Sequence, residues 1–127
     1  MKKLAFFIVA GLMWVSAACG PVKEEGKWTK ITGDDITLTG ELDSPEISWS
    51  GGEAANLVVM DENYDVMWQI GTGDYLGKKF TPPVTYGEVP DGVNEQFSAN
   101  SLESGVTYTV QVSLADGNSV SAEFVYR

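Results

Sequence analysis

The sequence of 127 residues contains no histidine and a single cysteine, Cys19. The lack of histidine removes the commonest general base and the commonest zinc ligand. A lone cysteine excludes an internal disulfide, so any core must be held by packing and hydrogen bonds. Basic residues are also few, with eight Lys and Arg against 18 Asp and Glu. Such an acidic chain repels nucleic acid, which we therefore exclude as a partner.

Two common signatures of catalysis are absent as well. The sequence has neither a nucleotide-binding glycine fingerprint nor a G-x-S-x-G nucleophile turn. Carboxylates alone can carry out glycoside hydrolysis, but a small domain without helices has little room for the cleft that this reaction needs. We therefore predict a protein that is not an enzyme and that binds no cofactor.

The N-terminus has the three parts of a secretory signal. Lys2 and Lys3 are followed by an apolar run over residues 4–15, and small residues then lead to Cys19. The apolar run is too short to cross a bilayer. We expect residues 1–18 to be a cleaved signal peptide.

The last four residues of this region add a resemblance. Ser16-Ala17-Ala18-Cys19 resembles the lipobox of bacterial lipoproteins. The resemblance implies cleavage before Cys19, lipidation of Cys19 and attachment through three acyl chains (palmitate or similar), which is effectively permanent. It also implies a bacterial cell envelope location, with the outer membrane favoured in an organism with two membranes, because Gly20 is not aspartate. An ordinary cleaved signal is the alternative.

The mature chain would contain 109 residues, enough for one domain. Six basic residues against 18 acidic ones give it a net charge of −12. Residues 20–26 are polar and without apolar periodicity, and this linker would span at most about 25 Å. We assign 19–35 to the lipidated cysteine and linker, and allow one short leading strand within 27–32.

The rest of the chain has the two-residue periodicity of β-strands. Val106, Tyr108, Val110, Val112 and Leu114 alternate with polar residues, and the turn at 116–117 leads into a second alternating segment at 119–124. No segment has the three-to-four spacing of an amphipathic helix. Shorter strands are predicted at 36–39, 46–50, 55–60, 66–70 and 95–99, the last with Phe97 pointing inward. These features predict an all-β domain over 36–127, an antiparallel β-sandwich of about seven strands.

Two motifs resemble the fibronectin type III family, a branch of the immunoglobulin-like sandwiches. Ile47-Ser48-Trp49-Ser50 is similar to the second strand of that family, and residues 102–110 match its L-x-x-G-x-x-Y-x-V pattern. The resemblance implies that Trp49 packs in the core. It also implies structural roles for Leu102, Gly105 and Tyr108, with the Tyr108 hydroxyl bonding to backbone upstream in a tyrosine corner.

The candidate ligand-binding residues lie in and beside the segment 71–92. They are Tyr75, Lys78, Lys79 and Tyr86, together with Trp68 on the preceding strand. Prolines keep this segment out of a central strand, and long aromatic loops are where sandwiches commonly bind ligands. The alternative is that its aromatic residues, Phe80 above all, cover the open side of the sandwich. For Trp68, both a core position and an exposed position remain open.

The acidic segment 61–65 begins like a calcium loop, with oxygen side chains at alternate positions. Val66 and Thr72 then occupy the positions that require glycine and a bidentate glutamate. Asp and Asn are also ordinary turn residues, so we interpret this segment as a polar hairpin tip and predict no metal site.

Three functions are compatible with these features. The first is a lipid-anchored, non-catalytic envelope module that binds a protein partner through its loops or serves a structural role. The second is a carbohydrate-binding lipoprotein that uses loop aromatic residues. The third is a small hydrolase inhibitor that presents acidic residues, namely Glu53, Asp61, Glu62 and Asp65.

Overall fold

The computed structural model describes residues 26–71 and 78–127, and this part of the chain is all-β. The predicted signal peptide, Cys19 and residues 20–25 lie outside the described residues. None of the described residues forms a helix that could cross a membrane. The strands are β1 (Trp28–Thr32), β2 (Ile36–Thr39), β3 (Glu46–Trp49), β4 (Ala54–Met60), β5 (Val66–Gly71), β6 (Val84–Thr85), β7 (Glu95–Phe97), β8 (Thr107–Leu114) and β9 (Ser119–Tyr126).

The strands form two antiparallel sheets. The larger sheet has six strands in the order β1-β9-β8-β4-β5-β7, and the smaller has three in the order β2-β3-β6. The long hairpin of β8 and β9 is paired in register from Thr107 with Val125 to Ser113 with Ser119. The predicted antiparallel β-sandwich, consistent with an immunoglobulin-like or fibronectin type III-like architecture, is confirmed.

Strand alternation builds the core between the sheets. On β8 the side chains of Tyr108, Val110, Val112 and Leu114 are buried, whereas Gln111 is exposed. The inward residues of the smaller sheet include Ile36, Leu38, Ile47, Trp49 and Val84, and they belong to the same cluster. Burying each such apolar side chain contributes roughly 1.5–3 kcal/mol. This cluster is the main stabilising feature of a domain with no disulfide.

The short leading strand allowed within 27–32 is present as β1, so the sandwich begins at Trp28 and not at Ile36. β1 pairs with β9 from Trp28 opposite Tyr126 onward, and the Trp28 side chain is buried. Its indole Nε1 donates to the Glu41 carbonyl oxygen at 3.1 Å. The other four residues of β1 are exposed because it is an edge strand, which hides the alternation in the sequence.

Both ends of the described domain meet at one end of the sandwich. The Lys27 N–H donates to the Arg127 carbonyl oxygen at 2.8 Å, and the Arg127 N–H donates back at 3.1 Å. We call this the terminal end. Because the strands are antiparallel, the β4–β5 hairpin tip also lies there, whereas the β8–β9 and β3–β4 connections lie at the opposite, far end.

Candidate binding surfaces

Two of the predicted ligand-binding residues, Trp68 and Tyr86, are core residues. The Trp68 side chain is 0% exposed and that of Tyr86 is 4% exposed. Their rings pack edge to face with centroids 5.1 Å apart. The prediction that they stack on a ligand is wrong in this structure, because neither ring offers a free face to solvent. Trp68 shares its side of β5 with Ile70, which is also fully buried.

The Tyr86 hydroxyl holds backbone together. It donates to the Asn100 carbonyl oxygen at 2.7 Å and lies 3.1 Å from that of Met67. The Asn100 N–H in turn donates to the Met67 carbonyl oxygen. Burial raises the pKa of the Tyr86 hydroxyl well above its ordinary value. Tyr86 therefore fastens the β7–β8 connection to β5.

Tyr108 fastens the same connection from its other side. Its hydroxyl accepts the N–H of Glu103, five residues upstream, at 2.8 Å. Leu102 is buried, and Gly105 has a φ of 86° in the turn that follows it. This is the arrangement that the fibronectin type III resemblance implies for these residues. Burial raises the pKa of the Tyr108 hydroxyl too.

Most of the described part of the segment 71–92 covers the sandwich. Phe80 is buried, forms a β-bridge with Ala54 and packs edge to face on Trp49, with ring centroids 6.0 Å apart. β6 is an edge strand of the smaller sheet, as expected beside prolines. Phe80 therefore caps the open side, and Trp49 lies in the core beneath it.

Of the other candidates in this segment, Tyr75 lies outside the described residues. Lys78 is exposed and Lys79 is half-buried. Both precede Phe80, whose bridge to Ala54 places them at the far end of the sandwich. The aliphatic part of Lys78 lies beside Gly92. The two lysines are thus separated from Lys27 and Arg127 by the length of the strands.

The acidic hairpin tip uses its own carboxylates to order the loop. Asp61 Oδ1 accepts the N–H groups of Asn63 and Asp65 at 2.8 and 3.0 Å, and Glu62 Oε2 accepts the Thr107 N–H at 3.1 Å. Tyr64 has a φ of 65° and its side chain is 73% exposed. Within the described ranges, no group of three or more acidic or cysteine side chains is arranged to hold a metal ion.

The predicted inhibitor surface is divided, because Asp61, Glu62 and Asp65 share the hairpin tip whereas Glu53 lies apart from them. Glu53 immediately precedes β4 and Asp61 immediately follows it. Seven strand residues at about 3.3 Å each separate the two positions by more than 20 Å, at opposite ends of the sandwich. A single partner loop would not contact both.

Phe97 points outward, so its prediction as an inward residue is wrong. It is 51% exposed and pairs with Gln69 of β5. Consecutive pairing then joins Gln69 to Val58, Val58 to Gln111 and Gln111 to Ser121 in one row across five strands. Phe97 and the exposed Gln111 therefore share the face of the larger sheet that points away from the core.

This outer face is defined by the strand residues that the pairing places on it. They are Thr29, Thr32, Asn56, Val58, Met60, Val66, Gln69, Gly71, Phe97, Thr107, Thr109, Gln111, Ser113, Ser119, Ser121, Glu123 and Val125. Glu123 is the one charged member of this set. Sequence reasoning overlooked the face as a site, although the outward positions of β8 already form an uncharged polar series. That series was the available signal.

A shallow depression lies at the terminal end. It is lined by Glu41, Leu42, Asp43 and Tyr126, beside the point where the described chain begins.

Comparisons with protein-family models, curated proteins and solved structures gave no match to this chain.

Proposed function

We propose that this chain is a lipid-anchored, non-catalytic binding module of a bacterial cell envelope that engages a protein partner. The observation that carries the proposal is the pairing of Lys27 with Arg127 at the terminal end. A lipid on Cys19 would hold this end towards the membrane. The far end and both sides of the sandwich would then be presented away from it.

The linker between Cys19 and the domain is short, so it would keep the terminal end close to the membrane. The seven residues 20–26 reach at most about 25 Å when extended. The acidic tip at 61–65 also lies at the terminal end and is repelled by anionic lipid, which favours a domain that stands off the membrane. Gly20 supports the outer membrane as the location if the organism has two membranes.

The absence of histidine and the use of tyrosine hydroxyls as structural groups support a non-catalytic role. Tyr86 and Tyr108 each bond to backbone, and burial raises the pKa of both hydroxyls, so neither is poised to exchange a proton near neutral pH. The distribution of charge supports the binding role. The acidic residues lie mainly in the connections between strands, whereas one face of the larger sheet is almost uncharged.

Each of the two alternative functions keeps only part of its predicted surface. For carbohydrate binding, Tyr86 and Trp68 are buried, and Tyr75 lies outside the described residues. For hydrolase inhibition, Asp61, Glu62 and Asp65 share the hairpin tip, but β4 separates them from Glu53.

The test is to express the full chain and a Cys19→Ser variant in the native cells with radiolabelled palmitate. We expect the wild-type chain to carry label and to require detergent for extraction, whereas the variant carries no label. Extraction in mild detergent should then recover the wild-type chain with a stoichiometric protein. An unlabelled wild-type chain that leaves the membrane in buffer alone would overturn the anchor, and a labelled chain recovered alone would overturn the protein partner.

A further inference from the structure

The acidic residues of this protein are concentrated in the connections between strands. Of the 15 acidic residues in the described part of the chain, 12 lie in such connections, and only Glu46, Glu95 and Glu123 lie on strands. The Glu123 carboxylate accepts the hydroxyl of Thr32 towards the β1 edge of the sheet. The middle of the outer face is therefore uncharged in a strongly acidic domain.

The centre of this face shares one property with an interface core, the depletion of charged residues. Interface cores are depleted of charged residues and enriched in aromatic residues and methionine. Here Phe97 is half exposed and Met60 is half-buried. The amide side chain of Gln69 lies on the strand between them, whereas Val58 and Val125 of the same face are buried. The Gln69 Nε2 donates to Asn56 Oδ1 at 3.1 Å, which fixes part of the amide layer before a partner binds.

The face is large enough to form most of one side of a protein interface. Six strands at about 4.8 Å spacing span roughly 24 Å, and the eight residues of β8 span about 27 Å. The resulting area is on the order of 600 Å², and the connections at its ends add to it. A stable protein interface buries about 800 Å² on each partner.

The ends of the face carry negative charge. Glu62 and Asp65 lie in the connection at the terminal end, where Glu62 Oε2 accepts the N–H of Thr107 on the face itself. Glu53 and Asp116 lie at the far end, where the Ala115 N–H donates to the Glu53 carbonyl oxygen. A complementary surface would be uncharged at its centre and basic at its rim.

We infer that the outer face of the six-stranded sheet is the docking surface for the protein partner, and that this partner has an uncharged centre and a basic rim. The inference rests on the proposed function for the partner being a protein, and it adds the place and the chemistry of contact. Face-to-face pairing with a second copy would bring acidic rims together. An uncharged polysaccharide has no basic groups with which to contact the acidic rim.

The test places a photo-activated phenylalanine analogue at single positions in the full lipidated chain in its native cells. Gln111 and Ser121 are exposed on the face, and Lys78 and Asp34 are exposed outside it. We expect positions 111 and 121 to cross-link to one and the same protein, with yields at least tenfold above those at 78 and 34.

That protein, once identified and purified, is titrated against the wild-type chain and two variants. Phe97→Ala should weaken binding by about tenfold, as expected for the loss of an aromatic anchor. Thr37→Ala is the control because it truncates an exposed side chain on the smaller sheet, away from the outer face and its rim, and it should change binding by less than twofold. Binding should also weaken as salt is raised, since the rim is charged. Equal melting temperatures of the variants would exclude unfolding as the cause.

The remaining outcomes separate this inference from the proposed function. Cross-links to a protein from positions 78 or 34 alone would overturn the face and leave the protein partner in place. Products that double the mass of the chain would show a second copy, and products trimmed by glycosidases would show a polysaccharide; both would overturn the inference. Cross-links to nothing from any position would overturn both.

Discussion

The indole Nε1 of Trp68 donates to Oε2 of Glu95 at 2.8 Å, which joins the core to the edge strand β7. Trp68 is fully buried, whereas Glu95 lies on an exposed strand of three residues. The Gly71 N–H reinforces the connection by donating to the Asn94 carbonyl oxygen. β7 carries Phe97, so this contact also positions one border of the outer face.

Replacing Glu95 by alanine should lower the free energy of unfolding by about 1–3 kcal/mol, because it leaves a buried indole N–H without an acceptor. Glu95→Gln retains a side-chain oxygen that can accept the indole N–H, so it should lower the free energy of unfolding by less. Urea unfolding followed by tryptophan emission measures both. Equal losses for the two variants would show that the charge of Glu95, and not the hydrogen bond, is responsible.

Gly71 and Gly105 provide a matched pair for backbone strain. Both have positive φ, 93° and 86°, but a Cβ on Gly71 would overlap the Ala55 carbonyl oxygen, whereas a Cβ on Gly105 would meet nothing within 4 Å. Gly105→Ala should therefore lower the free energy of unfolding by about 1 kcal/mol, because alanine disfavours a positive φ. Gly71→Ala should cost at least about 2 kcal/mol more, or prevent folding, because the overlap is with backbone. Similar midpoints in urea for the two variants would contradict this.

The sequence predicts the long strands well because their alternation is read directly from residue spacing. β8 and β9 follow the alternation of apolar and polar residues, and the inward residues are buried on β8 and buried or half-buried on β9. β1 and β7 are harder to predict because edge strands expose most of their residues. Each has one large aromatic residue, Trp28 or Phe97, and its spacing from polar neighbours does not reveal whether it faces the core.

Binding residues are harder to predict than strands, because exposure depends on tertiary packing. An aromatic residue in a proline-containing loop can bind a ligand or cover a core. For Tyr86 the structure shows the second role, because its ring packs on Trp68. The outer face is assembled from six strands whose pairing order is not contained in any one segment. Its uncharged character becomes visible only when Gln69, Val58 and Gln111 are known to be neighbours.

Calcium should not stabilise the protein. Asp61 Oδ1 already accepts two N–H groups, and Glu62 bonds to the Thr107 N–H, so ordering the hairpin tip requires no ion. We expect the melting temperature of the metal-free domain to be unchanged in millimolar calcium. Asp61→Ala should lower the free energy of unfolding by about 1 kcal/mol, because the loop amides lose their acceptor. A calcium-dependent rise that disappears in Asp61→Ala would instead establish a metal site.

Alkaline pH should unfold the protein through its buried tyrosines. Burial raises the pKa of the Tyr86 and Tyr108 hydroxyls in the folded state, so the unfolded chain loses these protons first, near the ordinary pKa of about 10. Their contribution to stability is therefore complete below that pH and is lost as the pH rises above it. Above pH 10, each tyrosine should reduce the free energy of unfolding by at most about 1.4 kcal/mol per pH unit. Urea midpoints across this range measure the slope, and Tyr86→Phe, although less stable at neutral pH, should show a shallower fall. An unchanged slope in that variant would mean that Tyr86 ionises equally readily in the folded and unfolded chains.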